Sequence, residues 1–176
     1  MAKPQVRQLD LGGYATEHEK DSELIAYIVV GRAVVQWGVL EQNFNNLVAR
    51  LFKTFGGSVQ PPFALKRKIE FWNECFNKQE RLAPWKKQAV AFSKGLVEAK
   101  KKRDILLHFA WEVDRSDITK LMKGRSLRAD SDGGHTRQNM DLPLNAINTL
   151  VFNISNLNLS FMPIVFNLLS ARAPKR

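Results

Sequence analysis

The residues best suited to chemistry in this chain lie in one segment, Lys-Lys-Arg-Asp-Ile-Leu-Leu-His, residues 101–108. Arg103 can hold a phosphate through parallel N–H donors, and His108 can give or take a proton near neutral pH. If the segment is helical, Asp104 lies about 40° from His108, and we expect its carboxylate to hydrogen-bond the imidazole. Arg103 then lies about 140° from His108, so one helix does not aim both side chains at one phosphate. The geometry improves if the helix unwinds near its end or if two copies of the segment meet in a dimer.

The charge of the chain indicates what such a segment would act on. The 176 residues carry a formal charge of +10, with a pI near 9.9, which favours polyanionic partners, nucleic acid before an acidic membrane surface. Residues 64–103 contain 12 Lys or Arg against 4 Asp or Glu, so the charge is concentrated. The alternative is a basic soluble protein without a polyanionic partner. With 44% hydrophobic residues the composition is that of a globular protein, and the length fits one domain.

Several classes of site are excluded by what the sequence lacks. Cys75 is the only cysteine, so no intramolecular disulfide and no cysteine-based zinc site can form. There is no glycine-rich phosphate loop, no His-Glu-x-x-His and no Gly-x-Ser-x-Gly. The N-terminus has no apolar signal region, and asparagines interrupt even the most apolar segment, 141–170. We therefore expect a cytoplasmic protein that uses no cofactor or metal and does not enter the membrane.

Helices must position the segment. Residues 1–20 show no periodicity and predict a flexible N-terminal arm, and residues 21–171 predict a single bundle of four to five mostly antiparallel helices. A long first helix begins at Asp21-Ser22 and ends at Gly56-Gly57, with a break possible near Gly31 or Gly38. Its apolar positions are Ile25, Ile28, Val29, Trp37, Leu40, Phe44, Leu47 and Leu51. A second helix is predicted at about 64–79, and a third from Pro84 to about His108.

The last third of the chain is less regular until its final helix. Residues 112–140 are rich in turn formers and predict a basic loop or β-hairpin insert. A last helix follows, with Asp141 as its N-cap and a core stripe formed by Ile147, Leu150, Ile154, Leu157, Phe161, Ile164 and Leu168. A second stripe of Phe152, Leu159 and Phe166 lies on another face. Either this helix is buried on both sides, or the second stripe is a dimer or partner surface.

These features together resemble the HEPN superfamily (higher eukaryotes and prokaryotes nucleotide-binding domain). The resemblance rests on Arg103, a polar residue after it, and His108 after four intervening residues, late in a lysine-rich helix of an all-α chain. The usual second residue of the motif is Asn, where this chain has Asp104. Trp37-x-x-x-Glu41 also resembles the first helices of such bundles, which often contribute a polar residue to the cleft. Within the superfamily, the motif resembles that of bacterial proteins of the Arg-x4-His type.

The resemblance implies a metal-independent endoribonuclease that acts as a homodimer, often as a toxin or phage-defence component. His108 would be the general acid or base, Arg103 would stabilise charge on the phosphate, and Asp104 would orient the imidazole. Glu41 is a candidate for a residue that supports these groups from behind without touching the RNA, and Lys100, Lys101 and Lys102 would hold the RNA backbone. The products would be a 2′,3′-cyclic phosphate and a 5′-OH. A cognate antitoxin or other partner protein is a further expectation.

Two other interpretations remain open at this stage. A non-catalytic HEPN-like module would bind RNA or nucleotides through its basic helices without cleaving them. An interaction module would dock a partner protein on Phe152, Leu159 and Phe166. Single residues also have simpler interpretations. Lys100 to Lys102 fit a solvated helix face, and Glu41 fits an ordinary surface carboxylate. Trp72 and Trp85 fit either base-stacking platforms or core anchors.

Overall fold

The computed structural model describes residues 17–56, 60–113, 122–129 and 135–170. In this part of the chain the fold is an all-α bundle of four helices, α1 to α4, with a small sheet inserted before the last helix. The helices are α1 Glu17–Phe55, α2 Leu65–Lys78, α3 Lys86–His108 and α4 Leu144–Ser170, and a 3-10 helix, Glu80–Trp85, joins α2 to α3. The predicted fold class is confirmed.

The first helix is longer than the sequence predicts. α1 begins at Glu17, inside the predicted arm, and continues without a break through Gly31 and Gly38. A side chain at either glycine would meet nothing within 4 Å, so neither position is needed for close packing. The remainder of the predicted arm, residues 1–16, lies outside the described residues.

The packing of rings and small residues fixes the helix directions. Phe44 of α1 packs on Phe92 of α3 with ring centroids 5.7 Å apart. Trp37, which precedes Phe44 in α1, lies against Arg103, which follows Phe92 in α3. The two helices are therefore antiparallel. Phe161 of α4 stacks on Phe92 at 4.6 Å, and the earlier Leu157 packs on the later Gly95, so α4 is antiparallel to α3. α1 and α4 therefore run in the same direction.

An aromatic cluster forms the centre of the core. Trp72 is fully buried, its ring lies 4.6 to 5.9 Å from those of Phe44, Phe76, Phe92 and Phe161, and its Nε1 donates to the Ala89 carbonyl at 3.0 Å. Satisfying the indole N–H allows this large side chain to be buried at little polar cost. Trp72 is thus a core anchor and not a base-stacking platform, and Trp85 is half-buried against the same core.

The N-terminal half of α1 is apolar on two sides, and the predicted core face was partly wrong. Ile25 and Ile28 are 37% and 51% exposed, whereas the buried positions are Ala26, Val29 and Ala33. This stripe continues with helical spacing into Trp37, Leu40 and Phe44, which are buried as predicted. The outer side of the same half exposes Leu24, Tyr27, Ile28, Val34, Val35 and Val39.

The insert is a three-stranded antiparallel sheet in the order β1-β2-β3. Its strands are β1 Ala110–Val113, β2 Met122–Ala129 and β3 His135–Leu142. Trp111 pairs with Gly124, and Asp141 pairs with Lys123. Asp141 is therefore the end of a strand and not the predicted N-cap of α4, which begins after Pro143 because two strand pairings extend β3 to Leu142.

The last helix separates its two apolar stripes as the partner-surface interpretation requires. Ile147, Leu150, Ile154, Phe161 and Ile164 are buried, and Leu157 is half-buried. Phe152, Leu159 and Phe166 are 64%, 69% and 62% exposed, so the part of the chain that the structure describes does not bury α4 on both sides.

Among the described residues, two helices are long and apolar enough to cross a membrane by length and composition alone: α1 from Glu23 to Phe55, and α4 from Leu144 to Phe166. A core helix of a soluble bundle meets the same criterion, and one side of each helix packs into the core described above. The predicted location in the cytoplasm stays a prediction.

Candidate functional site at the end of the third helix

The guanidinium of Arg103 is held between two helices. Its Cζ lies 4.7 Å from the ring centroid of Trp37 on α1, and its Nη1 lies 3.1 Å from Asp104 Oδ1. Only 18% of the side chain is exposed. A cation over an indole face is attracted by the electron-rich ring, and the attraction is stronger when water is partly excluded. The orientation of the guanidinium is therefore fixed by tertiary packing.

One atom of Arg103 has its hydrogen-bonding capacity unmet. Its Nε is buried and has no hydrogen-bond partner among the described residues. Leaving a buried donor unpaired costs about 1–3 kcal/mol. A buried unpaired donor lowers stability, so the presence of Arg103 at this position needs an explanation other than stability.

Asp104 does not orient the histidine, contrary to the prediction. Its two carboxylate oxygens are used by charged neighbours, Oδ2 by Lys100 Nζ and Oδ1 by Arg103 Nη1. Lys100 lies one turn before Asp104 as His108 lies one turn after it, so both compete for the same carboxylate. The carboxylate is instead used by the ammonium of Lys100 and the guanidinium of Arg103, which make charge-assisted contacts.

His108 is the last residue of α3, and its side chain is exposed. It makes no hydrogen bond or ion pair with any side chain that the structure describes. Beside it, Trp111 Nε1 donates to the Leu106 carbonyl at 2.7 Å, which provides a partner for one of the last carbonyls of the helix. The ring of Trp111 also stacks on Phe109 at 5.4 Å. His108 is thus open to solvent on an anchored helix end.

Glu41 belongs to the same cluster through Trp37. The indole Nε1 of Trp37 donates to Glu41 Oε2 at 2.9 Å, and the ring of Trp37 carries Arg103 on its face. The carboxylate therefore fixes the orientation of the platform under the guanidinium. Sequence reasoning noted Trp37 and Glu41 together but missed Trp37 as the residue that positions Arg103. The only signal was the four-residue spacing that joins the two side chains on one helix.

The three lysines predicted to bind RNA have three different environments. Lys100 is paired with Asp104, and Lys101 Nζ lies 2.8 Å from Glu98 Oε1. Lys102 is exposed and lines two neighbouring depressions against α4. The run of three lysines is therefore divided among separate surfaces and does not act as one patch.

The first depression is a groove of about 340 Å³ between α3 and α4. Its polar lining comes from Glu98, Lys102, Asn153, Asn156 and Ser160. The second, of about 350 Å³, is more apolar and is closed on one side by Met140 and Leu142 of β3. Neither is lined by Arg103 or His108, so the proposed reacting groups lie beside these grooves and not inside them.

The remaining candidates carry less chemistry. Burial, followed by the charge of Glu74, raises the pKa of the Cys75 thiol from 9.0 to about 11, so it behaves as an inert buried residue. Among the described residues no cluster of three or more His, Cys, Asp or Glu is arranged to hold a metal ion. His135 begins β3 and His18 lies in the first turn of α1, and their side chains lie outside the described part.

Comparison of the chain with protein-family models, with curated proteins and with solved structures finds no match.

Proposed function

We propose that this chain is a metal-independent endoribonuclease of HEPN type that acts as a homodimer, in a role such as a toxin or phage-defence component. One observation carries the proposal: Arg103 is held on Trp37 beside Glu41, while His108 stands exposed at the end of the same helix. A largely buried, oriented guanidinium and an exposed imidazole five residues later on the same helix supply a charge stabiliser and a proton-transfer group. The positive charge of the chain favours an RNA substrate.

The reaction uses the nucleophile that RNA carries. The 2′-oxygen attacks the neighbouring phosphorus, a base takes its proton, and the bond from phosphorus to the 5′-oxygen breaks as an acid protonates that oxygen. The products are a 2′,3′-cyclic phosphate and a 5′-OH. Because Arg103 and His108 lie about 140° apart around α3, two protomers facing each other supply a composite site more readily than one. Two copies of His108 then serve as the base and the acid.

The role of Asp104 is revised in this proposal. Since it binds Lys100 and Arg103, it acts on the guanidinium and not on the imidazole. Arg103 is thereby positioned by a carboxylate at its edge and an indole under its face. Such preorganisation lowers the reorganisation needed when charge develops on the phosphate.

A cleavage assay in EDTA with a mixed-sequence RNA tests the proposal. Wild type should yield 5′-OH ends that polynucleotide kinase can label, and a 2′-O-methyl RNA of the same sequence should stay intact. His108→Ala and Arg103→Ala should each abolish cleavage with an unchanged helical circular dichroism spectrum, whereas the control His18→Ala should cleave as wild type. Cleavage retained in both site variants would sink the proposal.

A second candidate is a non-catalytic HEPN-like module that binds RNA, nucleotides or a partner protein. It is favoured by the contacts of Asp104, which leave the His108 imidazole without an orienting carboxylate. If wild-type dimers cleave no member of a broad RNA panel yet bind RNA in a salt-sensitive manner, this candidate replaces the enzyme.

A further inference from the structure

The solvent face of α3 carries a regular row of basic residues that ends at the candidate site. Lys87, Lys94, Lys101 and His108 follow one another at seven-residue intervals, and all four side chains are exposed. Seven residues make nearly two turns, so successive members lie about 10.5 Å apart and drift by only about 20°. The row therefore runs about 31 Å along one side of the helix and turns by about 60° over its whole length.

The row has little acidic charge beside it. Before Asp104, the only acidic residue of α3 is Glu98, whose pKa is lowered by its hydrogen bond to Lys101 and by the charges of Lys101 and Lys102. Both side chains of its ion pair with Lys101 are mostly exposed, 65% for Lys101 and 63% for Glu98. Exposed ion pairs exchange partners at little cost. Lys87 and Lys94 form no ion pair with the described residues. The ammonium groups of the row are available to an external anion.

A groove with the chemistry of base recognition lies along one edge of this row. It is the groove of about 340 Å³ between α3 and α4, which Asn153 and Asn156 line from α4 and Glu98 lines from α3. Side-chain amides donate to and accept from base edges, and a carboxylate accepts from a base amino group while repelling phosphate. The phosphates of a strand would therefore stay on the lysines, and its bases would turn toward the groove.

We propose that Lys87, Lys94 and Lys101 form a track for the backbone of single-stranded RNA, whose bases enter the α3–α4 groove and whose chain is led to His108. This inference rests on the proposed function for its substrate class. A single strand fits better than a duplex, because its base edges are free to reach Asn153 and Asn156. Lys100 is not part of the track, since Asp104 binds it.

The test measures binding of a fluorescent 2′-O-methyl RNA 12-mer, which cannot react, by anisotropy over a series of salt concentrations. The double variant Lys87→Glu/Lys94→Glu should bind at least roughly tenfold more weakly, and the slope of log K against log salt should shrink by about 1.4, two phosphate contacts at about 0.7 each. The control Arg32→Glu/Lys53→Glu changes the net charge equally. Its two side chains are exposed on α1, about 140–160° around the helix from Trp37, and binding should change less than about twofold.

The contribution of the groove to RNA binding is measured separately, with asparagine variants. Asn153→Ala/Asn156→Ala should weaken binding of the 12-mer without changing the salt slope, because the lost contacts are uncharged. A 12-base-pair duplex should bind more weakly than the single strand. Equal losses in the row and control variants, or tighter binding of the duplex, would overturn the track.

The binding and cleavage assays distinguish an error in the proposed RNA track from an error in the proposed catalytic activity. If wild type cleaves RNA while Lys87→Glu/Lys94→Glu binds and cleaves as wild type, the track is wrong and the proposed enzyme stands. If wild type cleaves nothing but the row variant alone loses binding to the 12-mer, the track stands and the catalytic proposal fails.

Discussion

Arg103 of α3 and Trp37 of α1 are 66 residues apart in the chain, yet the guanidinium carbon of the first lies 4.7 Å from the ring centroid of the second. This contact joins two antiparallel helices at the level of the candidate site. The same indole donates a hydrogen bond to Glu41, so Arg103 and Glu41 are connected through Trp37. The position of the guanidinium thus depends on residues from both helices.

Replacing Arg103 by methionine should separate stability from activity. Methionine covers the Trp37 ring with similar volume and removes both the unpaired Nε and a partly buried charge. We expect the free energy of unfolding to stay within about 1 kcal/mol of wild type or to rise, since partly buried charges are often replaced without loss. RNA cleavage should be abolished. Urea denaturation and the cleavage assay measure the two effects, and a loss of several kcal/mol would show that Arg103 is a structural residue.

Two glycine substitutions should have opposite effects on stability. A Cβ at Gly38, on the exposed side of α1, meets nothing within 4 Å, so Gly38→Ala should stabilise the protein by about 0.5–1 kcal/mol. A Cβ at Gly124 would come within 2.5 Å of Trp111 Cζ3 and 2.9 Å of Phe109 Cδ1. Gly124→Ala should therefore displace these rings and destabilise the protein by roughly 1–3 kcal/mol. Thermal unfolding of both variants checks the signs.

The buried thiol should make stability depend on alkaline pH. Because burial raises the pKa of Cys75 from 9.0 to about 11, the unfolded chain loses this proton first as the pH rises. The thiol's contribution is complete below pH 9 and is lost between pH 9 and 11, by up to about 2–3 kcal/mol. Cys75→Ala lacks this loss. Urea denaturation of both proteins at pH 8 and pH 11 measures it, and parallel pH profiles would contradict the prediction.

The exposed stripe of α4 should control dimerisation if the composite site exists. Phe152→Ser/Leu159→Ser/Phe166→Ser removes apolar surface that is more than 60% exposed, so the helical bundle should still fold. We expect the wild type to be a dimer and the triple variant a monomer without cleavage activity, by light scattering and the RNA assay. Phe161→Ser, at a buried neighbour, should instead unfold the bundle. A triple variant that still forms dimers would place the interface elsewhere.

Helix order could be predicted from the sequence because the signals were local. The spacing of Trp72 and Phe76 in α2, and of Phe92 and Leu96 in α3, identifies buried faces, and the structure confirms them. The exposure of Ile25 and Ile28 in α1 was not predicted, for one reason. The first half of that helix is apolar on two sides, so periodicity alone could not select the face that meets α4.

The candidate site was less predictable, because its contacts join distant parts of the chain. The sequence singled out Arg103, Asp104 and His108 but not their partners. Lys100 and His108 are both four residues from Asp104, so the spacing alone does not decide which of them binds its carboxylate. The platform under Arg103 depends on how α1 packs against α3, and no local pattern encodes this.

The hydrogen bond from Trp111 to the Leu106 carbonyl gives the end of α3 an entropic advantage. His108 lies between the two residues that this bond joins, so its backbone belongs to a small ring closed at both ends and not to a fraying terminus. Ordering a free helix end on substrate would consume about 1–2 kcal/mol of conformational entropy per residue. Here that ordering is completed during folding, and the imidazole retains only the freedom of its own side-chain torsions.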